Sequence, residues 1–250
     1  RGFSSHDVGV SALAILAFTG TGHTHLFGEY PEFVETVRKA AMWLKGIQVT
    51  SPDDPQRGRF GPRVDSHWIY DQALAAMAVG ELLVLSGDTI GFSKCVELAA
   101  EFCLNAQNPG LGWRYGFRTG DNDTSVTGWM VLALKSCSAA GLARPERARF
   151  LRAFRGALAW FNRATDPELG LTGYQSPERT AQGRVLTMTS VGILCRVFSG
   201  ERRSSPVILS GVEAIVQHLP AWEEGERAGA RIINLYHWYY ATYALFQVGG

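Results

Sequence analysis

The sequence predicts an all-α protein built from helical hairpins, and three observations indicate this class. Apolar residues recur at helical spacing through most of the chain, and no segment alternates with the period of a strand. Hydrophobic helices that begin at a polar or acidic cluster recur along the chain. Equivalent alanines in four of them, Ala17, Ala78, Ala133 and Ala244, lie 61, 55 and 111 residues apart, and 111 residues correspond to two periods. Each hydrophobic helix is followed by a Gly-containing turn and, except for the last, by an amphipathic helix, as in stacked helical repeats.

The predicted helices alternate between two kinds. The first kind is apolar nearly all round, as in 12–18, and we expect it to be buried on all sides, whereas the second is amphipathic, as in 150–161, and should lie outside. Proline in the first turn and glycine after the last turn mark several boundaries. The first kind covers 7–19, 67–85, 123–139, 184–198 and 234–247, and the second covers 32–48, 91–107, 145–164 and 206–219. Together they form about four and a half hairpins.

The composition narrows the partners. With 46% hydrophobic and 19% charged residues the chain is globular, and a net charge of +1 without a basic stripe argues against a nucleic-acid partner. No apolar run reaches the roughly 18 residues of a membrane span, so we expect no transmembrane segment. The four cysteines form no CxxC pair and should be buried thiols. No compartment is predicted, and residues 1–250 are expected to form one domain of a longer chain.

The ends of the outer helices carry a further pattern. Lys39 to Gln48 reads as a basic residue, a small residue, two spacers, an aromatic and an aliphatic residue, three spacers and a glutamine. Gln107 to Trp113 continues such a pattern into the next loop, and 156–161 repeats it weakly, with Thr165 in place of glutamine. Each glutamine is expected to bind its own helix end and the next segment of the chain, as a structural clamp between repeats.

This pattern resembles the QW repeat of squalene-hopene cyclases. Over essentially its whole length the chain is similar to prenyltransferase and squalene-cyclase-like repeat proteins, above all to a group found in planctomycete-type bacteria. The resemblance implies an α/α toroid, in which an inner ring of helices lies within an outer ring. A closed toroid of this family usually has six hairpins, so about four and a half hairpins imply an incomplete barrel or a segment of a larger one.

Equivalent positions in the repeats place polar residues at one level. Asp7, His67, Asp123 and His237 all lie at the start of an inner helix, so we expect them to face a common opening at one end of the bundle. Aromatic side chains nearby either pack in the core or present π faces to a ligand. The candidate cavity residues are His6, Asp7, His67, Trp68, Tyr70, Asp71, Thr124, Trp129, Tyr236, His237 and Tyr240.

Residues 121–124, Asp-Asn-Asp-Thr, are the candidates for chemistry. They resemble the Asp-x-Asp-Asp-Thr motif of class II terpene cyclases, whose middle carboxyl protonates an alkene, but neither alignment preserves the whole motif. Asp121 and Asp123 with His237 also resemble the zinc ligands of protein prenyltransferases, with the cysteine missing. The simpler interpretation is that Asp123 caps the following helix, and we predict no metal and no cofactor.

These observations lead to one functional expectation and two alternatives. The resemblance implies a non-catalytic repeat domain that binds an apolar, isoprenoid-like small molecule or a protein partner in its central cavity. The first alternative is a terpene-cyclase-type enzyme in which Asp123 is the general acid. The second is a zinc-dependent enzyme like the prenyltransferases.

Overall fold

The structure is a computed structural model that describes residues 6–219, 223–224, 231–232 and 234–249, without the side chains of 142–146, 223–224 and 231–232. This part of the chain is helical, as predicted. Its helices are α1 (Asp7–Gly20), α2 (Pro31–Gly46), α3 (Trp68–Ser86), α4 (Thr89–Ala106), α5 (Thr124–Cys137), α6 (Ala143–Ala164), α7 (Arg184–Phe198), α8 (Pro206–Val216) and α9 (Leu235–Val248). A π-helical turn, Ser138–Leu142, precedes α6, and the two-residue strands Glu223–Glu224 and Arg231–Ile232 pair antiparallel.

Local signals in the sequence set the helix boundaries. The Asp88 carboxylate accepts a hydrogen bond from the Gly91 N–H at 2.8 Å and starts α4, and Asn234 caps α9 in the same way at 3.0 Å. Pro31 and Pro206 occupy first turns, where a missing N–H costs nothing. Gly87 ends α3 with φ 68°, a left-handed conformation that glycine adopts without strain.

The apolar helices pack on one another in chain order. α3 lies against α1 and α5, and α7 lies against α5 and α9, while α2, α4, α6 and α8 each pack on the preceding apolar helix. We call α1, α3, α5, α7 and α9 the inner helices and the other four the outer helices. The pairing of helices into hairpins is therefore as predicted.

The prediction that every inner helix is buried all round is correct for three and wrong for two. Buried residues make up 14 of 19 in α3 but only 5 of 14 in α1 and 4 of 14 in α9. Val10 in α1 is 64% exposed and Phe246 in α9 is 70% exposed. The reason is position, because α1 packs mainly along one inner helix, α3, and α9 mainly along α7.

The glutamine clamps are present. The Gln48 side-chain amide donates to the Cys95 carbonyl at 3.0 Å, and the Gln107 amide donates to the Ala153 carbonyl at 2.9 Å. Each bond runs from the end of one outer helix to the middle of the next, 47 or 46 residues further along the chain. The predicted bonds between successive repeats are thus present, but the second bond of each glutamine goes to the following loop, at Gly58 and Leu111, and not to its own helix end.

Within the described ranges one helix, α3, is long and apolar enough to cross a membrane, which the sequence analysis did not anticipate. In this structure 72% of that stretch is buried against other helices, so its composition suits a core helix, and no clear transmembrane segment is found in the described chain. The four cysteines are buried free thiols, as predicted, and burial raises the pKa of Cys95 to about 12.

Candidate functional site

A cavity of about 770 Å³ lies where α3, α5, α7 and α9 begin. We call it the tyrosine cavity, because four tyrosines from four different segments of the chain line it. Its wall also includes aliphatic, hydroxyl and basic side chains. The lining residues include Tyr70, Tyr115, Ser125, Tyr174, Arg184, Leu186, Thr187, Met188, Asn234, Tyr236, His237 and Trp238.

Hydroxyl groups connect the helices that form this cavity. The Tyr70 hydroxyl donates to Ser125 Oγ at 2.9 Å, and Ser125 Oγ lies 2.9 Å from the Tyr236 hydroxyl, which joins α3, α5 and α9. The hydroxyls of Tyr115 and Tyr174 contact each other on the loop side. Burial raises the pKa of Tyr70, Tyr174 and Tyr236 well above the usual value, so all three stay protonated and neutral.

Asp123 lies behind this cavity and is fully buried. Its Oδ1 accepts a hydrogen bond from the Val126 N–H at 2.8 Å, which confirms the predicted cap of α5. Burial raises the pKa of this carboxyl to about 6, partly opposed by the Val126 bond, by Arg114 and by the Tyr174 hydroxyl. Asp123 does not itself line the tyrosine cavity, although its partner Tyr174 does.

The other proposed metal ligands point elsewhere. Asp121 is exposed and forms an ion pair of 2.6 Å with Arg114, and a hydrogen bond from Thr119 followed by the Arg114 charge lowers the pKa of Asp121. His237 instead lines the tyrosine cavity. Across the described ranges no three His, Cys, Asp or Glu side chains are placed to hold a metal ion. Asp121, Asp123 and His237 therefore do not form a metal site in this structure.

Part of the predicted polar ring gathers at the tyrosine cavity. The ring of His67 stacks on Tyr70 with centroids 6.3 Å apart and meets the ring of Tyr115 at 5.1 Å, so it lies beside the lining tyrosines. Trp129 stacks on Tyr236 at 6.2 Å and supports it from α5. Of the predicted ring, His67 and His237 are therefore near the cavity and Asp123 is behind it.

Other candidates form a separate cluster at the start of α1. His6 Nδ1 lies 3.2 Å from Asp71 Oδ2, and its Nε2 lies 3.2 Å from Asp65 Oδ2. The hydrogen bond with Asp71 raises the pKa of His6, and burial raises the pKa of Asp71. Asp7, by contrast, is exposed in the first turn of α1 and does not line the tyrosine cavity.

Three remaining candidates are structural. Trp68 is buried against Phe102 and does not line the tyrosine cavity. Tyr240 is fully buried and packs edge-on against Trp129. The buried Thr124 hydroxyl donates to the Gly173 carbonyl at 2.7 Å, which fixes the loop that carries the cavity residue next to it, Tyr174.

Sequence reasoning missed Tyr115 and Tyr174, which lie in loops. A repeated anchor places both of them. The backbone N–H of Trp113 donates to Thr127 Oγ1 at 3.0 Å, and the N–H of Thr172 donates to Thr189 Oγ1 at 3.0 Å. Each tyrosine follows its anchor by two residues, so both enter the cavity mouth from equivalent loops. The signal in the sequence was a tyrosine at the equivalent position of two successive loops, which an alignment of those loops would have shown.

No family model matches the chain, and a search of curated proteins finds no significant match.

Proposed function

We propose that this chain is a ligand-binding domain of the α/α-toroid type, similar to squalene-cyclase and prenyltransferase-like repeat proteins. Its ligand is an isoprenoid-like small molecule with one polar group, bound in the tyrosine cavity. Two features support the toroid arrangement, namely the order in which the inner helices pack and the glutamine bonds between successive outer helices.

The observation that carries the proposal is the tyrosine cavity itself. Its volume of about 770 Å³ falls in the usual range for small-molecule sites, which are mostly apolar with a few well-placed polar groups. Rings of Tyr70 and Tyr236 with the side chains of Leu186 and Met188 offer an apolar wall. Ser125, Thr187 and Asn234 supply hydrogen-bonding groups for one polar head.

The same geometry favours binding over acid catalysis. A general acid has to reach its substrate within hydrogen-bond distance. The Asp123 carboxyl is fully buried, caps α5 and does not line the cavity. The neutral tyrosines that do line it are weak acids, because burial keeps their pKa high. A non-catalytic site is therefore the reading that these residues support best.

A binding titration tests the proposal. Trp238 lines the cavity, so the intrinsic fluorescence of the protein should change saturably when farnesol or geranylgeraniol is added. Leu186→Trp fills the cavity and should abolish the response. The matched control is Leu151→Trp on α6, at a side chain that is 45% exposed, and it should bind like the parent chain. Equal binding by the parent and by Leu186→Trp, or no binding of either alcohol, would refute the proposal.

Product analysis separates this function from the enzyme alternative. We expect no cyclised product after incubation with squalene or shorter isoprenoids. A cyclised product from the parent chain that disappears in Asp123→Asn would establish the terpene-cyclase alternative instead, because an amide cannot supply the proton.

A further inference from the structure

A second cavity, of about 620 Å³, lies between the C-terminal halves of α1 and α3 and the middle of α9. We call it the Glu81 groove. It is separate from the tyrosine cavity, which is lined by the starts of the inner helices, and the two share no lining residue. The side chains around Glu81 are Leu13, Leu16, Met77, Leu85, Tyr239 and Tyr243.

Glu81 places a single negative charge in this apolar groove. Its carboxylate accepts a hydrogen bond from Ser136 Oγ at 2.5 Å. Among the described residues, no lysine, arginine or histidine forms an ion pair with it. Lys135, which precedes Ser136 in the chain, lies over the Phe198 ring, 5.4 Å from its centroid. A partly buried charge without a counter-ion is costly, so a cation bound in the groove would stabilise it.

Two aromatic rings flank the same carboxylate. The rings of Tyr239 and Tyr243 meet edge to face with centroids 6.2 Å apart, and Tyr239 is 40% exposed at the groove. Burial, and after it the nearby negative charge of Glu81, raises the pKa of Tyr243. The Tyr243 hydroxyl therefore stays neutral. The faces of neutral tyrosine rings attract cations, and this attraction is strongest for an ammonium group that is shielded from water.

From this arrangement we infer that the Glu81 groove is a second binding site, for an organic cation that carries an apolar chain. The ammonium head lies between Glu81 and the two tyrosines, and the chain lies along Leu13, Leu16 and Leu85. A bare metal ion does not suit the groove, because it offers one carboxylate where calcium or zinc takes several ligands.

Calorimetric titration with three probes of equal chain length tests this site. The probes are decyltrimethylammonium, decanol and decanoate, each below its micelle-forming concentration. The parent chain should bind the ammonium about tenfold more tightly than decanol, and decanoate most weakly. Tenfold is about 1.4 kcal/mol, which attraction to one carboxylate and to two tyrosine rings can supply together. The preference for the ammonium should weaken as salt is added.

Variants assign the preference to one residue. Glu81→Gln keeps the size and an acceptor for Ser136, and it should lose most of the preference for the ammonium, because only the attraction to the tyrosine rings is left. Glu97→Gln, at a half-exposed glutamate on α4, is the matched control and should keep the preference. All measurements are repeated in Leu186→Trp, whose tyrosine cavity is filled, so that failure of one site is distinguishable from failure of the other.

The parent chain decides the question even if Glu81→Gln does not fold. Equal binding of the ammonium and decanol by the parent, or no binding of either, would overturn the inference. A preference that is undiminished in a folded Glu81→Gln variant would overturn it as well.

Discussion

Replacing Asp123 by asparagine should stabilise the protein at neutral pH and not at acidic pH. Asparagine caps a helix about as well as aspartate, so the bond from the Val126 N–H is kept while the buried charge is removed. Burial raises the pKa of the Asp123 carboxyl from 3.8 to about 6. This difference of about two pKa values corresponds to about 3 kcal/mol of unfolding free energy.

The direction of the pH dependence follows from the raised pKa. Between pH 3.8 and about 6 the folded state holds a proton that the unfolded state has lost. The unfolding free energy of the parent therefore falls as the pH rises through this window, and the loss is complete above about pH 6. Asp123→Asn has no such loss, so its advantage over the parent should grow by about 2 kcal/mol between pH 4 and pH 7, since part of the loss has already occurred at pH 4.

Urea unfolding followed by circular dichroism at pH 4, 5, 6 and 7 measures this difference. Asp123→Ala, which also loses the cap, should lie about 1 kcal/mol below Asp123→Asn at every pH. The matched control is Asp88→Asn at the cap of α4, because a hydrogen bond with His25 lowers the pKa of Asp88. The difference between Asp88→Asn and the parent should therefore stay nearly constant from pH 4 to pH 7, because the lowered pKa places the titration of Asp88 below this range. A stability difference between Asp123→Asn and the parent that stays constant across this range would refute the reasoning.

Three further predictions concern stability. Gln107→Ala should lower the unfolding free energy by about 1–3 kcal/mol, since it breaks the bonds to Leu111 and Ala153, and an unchanged denaturation midpoint would contradict the clamp. The pKa of His6 is raised, so the stabilisation that protonated His6 provides should be complete below pH 6.5 and lost as the pH rises through the raised pKa. A gap in Tm between the parent and His6→Ala that does not narrow from pH 5.5 to 8.5 would contradict this stabilisation. Gly58→Ala should lower the thermal stability several times more than Gly87→Ala. Both glycines have positive φ, but only at Gly58 would a Cβ lie 1.9 Å from a backbone oxygen, that of Leu98. Equal losses in thermal melts would contradict this prediction.

The sequence sufficed for what depends on local pattern. The nine helices of the described ranges were all predicted to within a few residues, because apolar periodicity, first-turn prolines and capping residues such as Asp123 act within one or two turns. The Gln48 and Gln107 clamps were also predictable, since they follow a motif of fixed spacing. The amount of burial was not, because α1 and α3 have similar apolar composition and differ only in how many inner helices lie beside them.

The candidate site was predictable only in part. Tyr70 and Tyr236 lie at helix starts and were candidates for either the core or a cavity wall, and both line the tyrosine cavity. Tyr115 and Tyr174 come from loops whose path depends on tertiary anchors to α5 and α7, which leave no periodic signal. Glu81, the central residue of the proposed second site, was not a candidate in the sequence, because the groove around it is completed by α9, at Tyr239, 158 residues further along the chain.

Photo-crosslinking with an isoprenoid alcohol that carries a benzophenone tests the central claim most directly. Peptide mapping should place the label on residues 181–188 and 234–238, which line the tyrosine cavity from α7 and α9. Unlabelled farnesol should compete for that labelling, and Leu186→Trp should remove it. Label spread over the exposed faces of α1 and α9, or labelling that farnesol does not reduce, would contradict the account.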